Sequence, residues 1–149
     1  DHTAGRVILI PDPAGHDAFA DKRRLTELCR HPSCAPWVPP CALGCENWEA
    51  TWPARHRLFF KPTLGFGGKG GYRGDKISRA TWEKLVPAAT LVQDLVPPPV
   101  LDNGFKVDIR AFALGGAVLA FGARLYRGQV TNFRSIGGGL AAVFRHHAD

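Results

Sequence analysis

The chain has 149 residues, 45% of them hydrophobic and 21% charged, with a formal net charge of +6. That length allows one domain with a real core, and no apolar run is long enough to span a bilayer. The positive balance favours anionic partners (nucleotide, polyphosphate, nucleic acid or acidic membrane) without choosing among them.

Val7-Ile8-Leu9-Ile10 is too short for the apolar segment of a secretory signal and reads as a short buried strand, ended by Pro11-Asp12-Pro13. The chain opens on Asp1 and contains no Met, so a piece of a longer polypeptide is expected. Asp17 to Cys29 reads as a helix, with Phe19, Leu25 and Leu28 apolar and Asp21, Lys22, Arg23 and Arg24 polar. Pro32 to Trp52 is rich in Pro, Cys and Trp, has no clear period, and is expected to be an irregular connection.

Cys29, Cys34, Cys41 and Cys45 all lie in or beside that connection, spaced C-x4-C-x6-C-x3-C, with His31 among them. Zinc ribbons favour two close pairs. Free thiols in a reducing, cytoplasmic setting are the first reading; zinc, or a disulfide in an oxidising compartment, are the alternatives.

Leu58–Phe60 reads as a strand and Gly65–Gly74 as a loop, with Tyr72-Arg73-Gly74-Asp75 suited to the far arm of a hairpin. Ser78 caps a helix to about Leu85, and Ile77 and Trp82 are spaced for a hydrophobic staple. Leu91 to Val96 is a strand stopped by Pro97-Pro98-Pro99. Lys106 to Leu114 alternates, with Val107, Ile109 and Ala111 on one side and Lys106, Asp108 and Arg110 on the other. Gly115-Gly116 has hairpin-turn chemistry, Val118 to Leu125 returns as its partner, and Gly137-Gly138-Gly139 marks a further turn or anion loop. Strands with hairpins and few helices predict the α+β class.

The chemistry concentrates in Phe60-Lys61-Pro62 and the loop after it. Gly65, Gly67, Gly68 and Gly70 free backbone N–H groups to face an anion, and Lys69 and Arg73 add charge. Gly65 to Gly70 satisfies G-x-G-x-x-G, but no helix is predicted to follow as a dinucleotide fingerprint requires, and the Walker pattern is unmet. A glycine-rich hairpin over nucleotide phosphates remains, against the plain alternative of a flexible turn. A lysine at the end of an apolar strand, Lys61, needs solvent or an anion. Gln93-Asp94-Leu95-Val96 offers a strand-end edge for adenine, or merely a turn. Asp108 with Arg110 and Arg124 is either a structural ion pair or a phosphoryl-stabilising arginine pair. Asn132 and Arg134 precede the triple glycine. The remaining arginines are dispersed, unlike the dense stripe of a nucleic-acid binder, which keeps that class as a lesser alternative.

Together these segments resemble the ATP-grasp superfamily, and within it the circularly permuted branch of glutathionylspermidine synthetase-like and peptide-ligase-like proteins. Carrying the resemblance are Ala14-Gly15 and Ala20-Asp21-Lys22, Phe60-Lys61-Pro62 with Gly65 to Gly70, Val92 to Val96, Lys106 to Arg110, Arg124, and Asn132 with Gly137 to Gly139. Residues 30–55 carry little of it.

The resemblance implies a partial ATP-grasp-like domain over 1–149, with an N-terminal segment 1–57 and a nucleotide-binding core 58–149. In that fold the nucleotide lies between two subdomains. It implies that Lys22 and Lys61 contact phosphates and that Gly65, Gly67, Gly68, Lys69 and Gly70 close over them. Gln93, Asp94, Leu95 and Val96 would hold adenine. Arg110 and Arg124 would face the γ-phosphate or acyl phosphate, and Asn132 would line the acyl side. The implied reaction activates a carboxylate with ATP as an acyl phosphate for attack by an amine, with Mg2+ bridging the phosphates. A non-catalytic ATP-binding module is the alternative. The family's carboxylate–carboxylate–Asn magnesium set has no counterpart here. In the permuted branch it lies ahead of the first nucleotide lysine, which would place it before Asp1; no metal ligand is assigned.

Overall fold

The computed structural model describes residues 4–9, 12–65 and 67–144. The chain forms two units, one from Asp1–Gly65 with Gly70–Leu95, the other from Phe66–Lys69 with Val96–Asp149.

In the first unit the strands are β1 (Cys41–Leu43), β2 (Leu58–Pro62), β3 (Tyr72–Arg73) and β4 (Thr90–Asp94), and the helices are α1 (Pro13–Ala20), α2 (Leu25–Leu28), α3 (Trp48–Ala54) and α4 (Arg79–Glu83). The sheet is antiparallel in the order β1-β4-β2-β3. Phe60 stands opposite both Val92 and Tyr72, and Leu58 opposite Asp94. Alternation then gives one face to Leu58, Phe60, Tyr72, Val92 and Asp94, and the other to Phe59, Lys61, Arg73, Leu91, Gln93 and Cys41.

The first face carries the core. Phe60, Val92, Ile77 and Trp82 are buried together, with Trp48, Trp52, Leu58, Tyr72 and Leu85 packed against them. Trp48 stacks on Trp82 with centroids 4.9 Å apart and meets Phe60 edge-on at 5.9 Å. Burying a side chain such as Phe60 contributes about 1.5–3 kcal/mol. Ile77 and Trp82 join this cluster as their spacing predicts, and Ser78 Oγ caps α4 by accepting from Thr81 N at 3.1 Å.

Four expectations are corrected. The helix expected over Asp17 to Cys29 is two helices. Asp12 caps α1, with Pro13 at its first position, and Asp21 interrupts the path in an extended conformation. The Asp21 carboxylate accepts from Arg23 N at 2.9 Å and starts a 3-10 turn over Lys22–Arg24 that leads into α2. A helix-capping side chain has stopped one helix by starting the next.

Val7 to Leu9 form no strand and are exposed, since no ladder among the described residues takes them; Ile10 lies outside those residues. The stretch Pro32 to Trp52 is not wholly irregular, because β1 pairs with β4 and α3 begins at Trp48. The strand expected over Leu91 to Val96 spans Thr90–Asp94.

The second unit holds β5 (Lys106–Leu114), β6 (Ala117–Tyr126) and β7 (Gly139–Ala142), antiparallel in the order β5-β6-β7. Gly115 and Gly116 have φ of 58° and 79°, the two positive angles that a tight primed hairpin turn needs. A register shift falls between Phe112 and Ala113. The molecule is thus α+β, with two antiparallel sheets and short helices. Among the described residues no helix is long and apolar enough to cross a membrane.

Candidate functional site

The break at Asp21 decides where Lys22 goes. Its backbone N–H donates to Thr63 O at 3.0 Å, and its Nζ donates to Gly65 O at 2.8 Å. A residue from the N-terminal helical segment is thereby tied to the end of β2 and to the first glycine of the loop. Thr63 is buried and donates its own N–H to Ala89 O at 2.9 Å, which fixes the backbone that receives Lys22.

Lys61 leaves β2 on the non-core face. Its Nζ donates to Gln93 Oε1 and sits 5.5 Å from the centre of the Phe59 ring. Burial holds this ammonium below the ordinary lysine value; the Cys41 thiol partly offsets that, and the charge of Lys22 adds to it. The two lysines, distant in sequence, therefore act on each other electrostatically. Each donates to a neutral oxygen.

Gln93 is buried, with Nε2 directed to Pro39 O at 3.4 Å while Oε1 receives Lys61. It is a positioning group for Lys61 in this arrangement. Asp94, the next residue, has its side chain on the opposite face and exposed. The Asp94 and Leu95 N–H groups donate to Pro40 O and Arg57 O, at 2.9 and 2.8 Å. A groove of about 390 Å³ opens at this end of the sheet, lined by Glu46, Asn47, Leu58, Val92 and Asp94 among others. Within the loop after β2, Gly65, Gly67, Gly68 and Gly70 all have positive φ, the backbone region that only glycine enters readily. The far arm of the loop is β3, so the loop is a hairpin, as the absence of a following helix predicts.

In the second unit, Arg124 and Asp108 stand opposite each other on β6 and β5 and form an ion pair. Thr131 Oγ1 donates to the same carboxylate oxygen at 2.9 Å. Arg110, two residues beyond Asp108 on the same face, is exposed. Asn132 organises its own loop. Its Nδ2 donates to Arg127 O and Val130 O at 2.7 and 3.2 Å, and its Oδ1 accepts from Arg134 N and Ser135 N at 2.9 and 3.1 Å.

Lys22, Lys61 and Gln93 are thus drawn together, while Asp94 is turned to the other face and Asn132 is engaged within its loop. Sequence reasoning missed the supporting roles of Gln93 and Thr131, because a buried Gln or a loop Thr carries no pattern of its own. Val96 is exposed and Lys69 lies in the hairpin tip.

Among the described residues no group of three His, Cys, Asp or Glu side chains is placed to hold a metal ion. Comparison with protein-family models, with curated proteins and with solved structures finds no match to this chain.

Proposed function

We propose that this chain binds the triphosphate of ATP and serves as the nucleotide-binding part of a cytoplasmic carboxylate–amine ligase of the ATP-grasp kind. The observation that carries the reading is that Lys22 reaches the first glycine of the hairpin loop while its charge lowers the proton affinity of the half-buried Lys61. Two cations held near each other on neutral oxygens repel, and one of them is half-buried. A polyphosphate relieves both penalties at once, because its oxygens accept from each ammonium. Backbone N–H groups of the glycine loop add donors that need no side chain.

In this reading Gln93 holds Lys61 in place and the strand end near Asp94 meets the base. In the second unit Arg110 is exposed on β5, whereas Arg124 shares its charge with Asp108. ATP would convert the acceptor carboxylate to an acyl phosphate, which an amine then attacks. No step is assigned to magnesium.

A second reading, an ATP-binding module without turnover, draws on the Asp108–Arg124 pair, which neutralises one of the two arginines. Calorimetric titration with ATP and magnesium tests what both share. Binding is expected for the wild type and for Lys76→Ala, and is expected to be lost in Lys61→Ala and Lys22→Ala. A folded wild type that binds no ATP overturns both. ADP and phosphate formed on adding candidate carboxylates and amines would separate the first from the second.

A further inference from the structure

Cys29 caps the C-terminal end of α2, and Cys41 opens β1. Cys29 Sγ lies 3.4 Å from Thr26 O and 3.5 Å from Cys41 O, which brings it against the residue that carries the second thiol. The path between them is already ordered. Cys34 N and Ala35 N donate to His31 O at 2.9 and 2.8 Å, and Trp37 N and Val38 N to Cys34 O at 2.8 and 3.0 Å. Its far end is held by Asp94 N on Pro40 O and by Gln93 Nε2 on Pro39 O. Both sulfurs are half-buried rather than sealed, and neither is in a disulfide.

We infer that Cys29 and Cys41 form a thiol–disulfide exchange site whose co-reactant is a low-molecular-weight disulfide, glutathione disulfide being the type. The inference does not rest on the nucleotide reading, although Lys61 takes part in both.

The order of events follows from the surroundings. Burial, and then the neighbouring Cys29, push the Cys41 thiol up to about 12, while Lys61 and Arg30 pull against them. Cys41 therefore stays protonated, and the first attack falls to Cys29. The Cys29 thiolate attacks one sulfur of the glutathione disulfide, an S–S bond breaks, and one glutathione thiolate leaves. Cys41 then loses its proton to solvent and attacks the Cys29 sulfur, expelling the second glutathione. Two protein thiols are oxidised, one external disulfide is reduced, and the two protons end on the two glutathione thiols. Burial and the nearby Cys29 slow the second step, and Lys61 stabilises the thiolate that carries it.

The test is peptide mapping of the whole chain after exposure to glutathione disulfide and alkylation under non-reducing conditions. Cleavage after Arg30, Trp37 and Leu43 separates all four cysteines. The expected product is one crosslinked pair, the Cys29 peptide with the Cys41 peptide, while Cys34 and Cys45 remain alkylated or carry glutathione. In Cys41→Ser, glutathione is expected to stay on Cys29. A dominant crosslink involving Cys34 or Cys45, or glutathione retained on Cys29 in the wild type, overturns the inference.

Discussion

The indole N–H of Trp82 donates to Thr51 Oγ1 at 2.9 Å inside the core of the first unit. The same hydroxyl donates to Trp48 O at 2.7 Å. One buried threonine thus joins α3 to α4 through the partner of its largest indole.

Thr51→Val keeps the shape and removes both bonds. It leaves the Trp82 donor buried without an acceptor, which costs about 1–3 kcal/mol. Urea denaturation is expected to show the unfolding free energy lowered by that amount, as a lower midpoint with an unchanged slope. A variant as stable as the wild type would mean that Trp82 finds another acceptor.

Gly74 tests the loop's far arm. A Cβ there would lie 2.0 Å from Arg55 O and 2.9 Å from Leu58 O, both backbone atoms that have no room to give. Its N–H donates to Leu58 O at 2.9 Å, so the close approach is what seats β3 beside β2. Gly74→Ala is expected to lose well over about 3 kcal/mol, read as loss of cooperative unfolding by tryptophan fluorescence. A normal unfolding curve would show that the β2–β3 hairpin can shift without harm.

Lys61 links the site to pH. Its folded-state value is lowered, because burial penalises the charged ammonium in the folded chain only. As pH rises, the folded chain sheds this proton before the unfolded chain, which releases it near 10.5. Through that window the unfolded state binds more protons, and stability rises with pH. Wild type is therefore expected to gain on Lys61→Met as pH climbs toward 10.5, in thermal unfolding measured side by side. An unchanging difference would count against a buried cation at this position.

Sequence reading found the elements whose signals are local. Alternation over Lys106 to Leu114, the paired glycines at 115–116 and the Ser78 cap each announce their structure within a few residues, and β5, β6 and α4 follow. It missed β1, since Cys41-Ala42-Leu43 is too short to show alternation and becomes a strand only because β4 is there to pair with it. It also ran one helix through Asp21, a residue that reads equally well as a solvated helix position or as a cap.

The site was half legible for the same reason. Lys61 and the glycines stand out as a run, whereas nothing in the order of residues says that Lys22 returns to Gly65 or that Gln93 seats Lys61. Those are tertiary facts. Val7 to Leu9 show the converse, an apolar run that is exposed and outside every strand among the described residues.

The two sheets differ in how far apart in sequence their partners lie. β5 and β6 are joined by a tight turn, and Leu114 pairs with Ala117. β1 must instead find β4, bringing Cys41 to Gln93. Loop-closure entropy opposes the second pairing far more than the first. During refolding the β5–β6 ribbon therefore zips early. The β1–β4 pairing comes late, and with it the placing of Cys41 beside Gln93. On this argument Cys41 joins the face that carries Lys61 later than β5 meets β6.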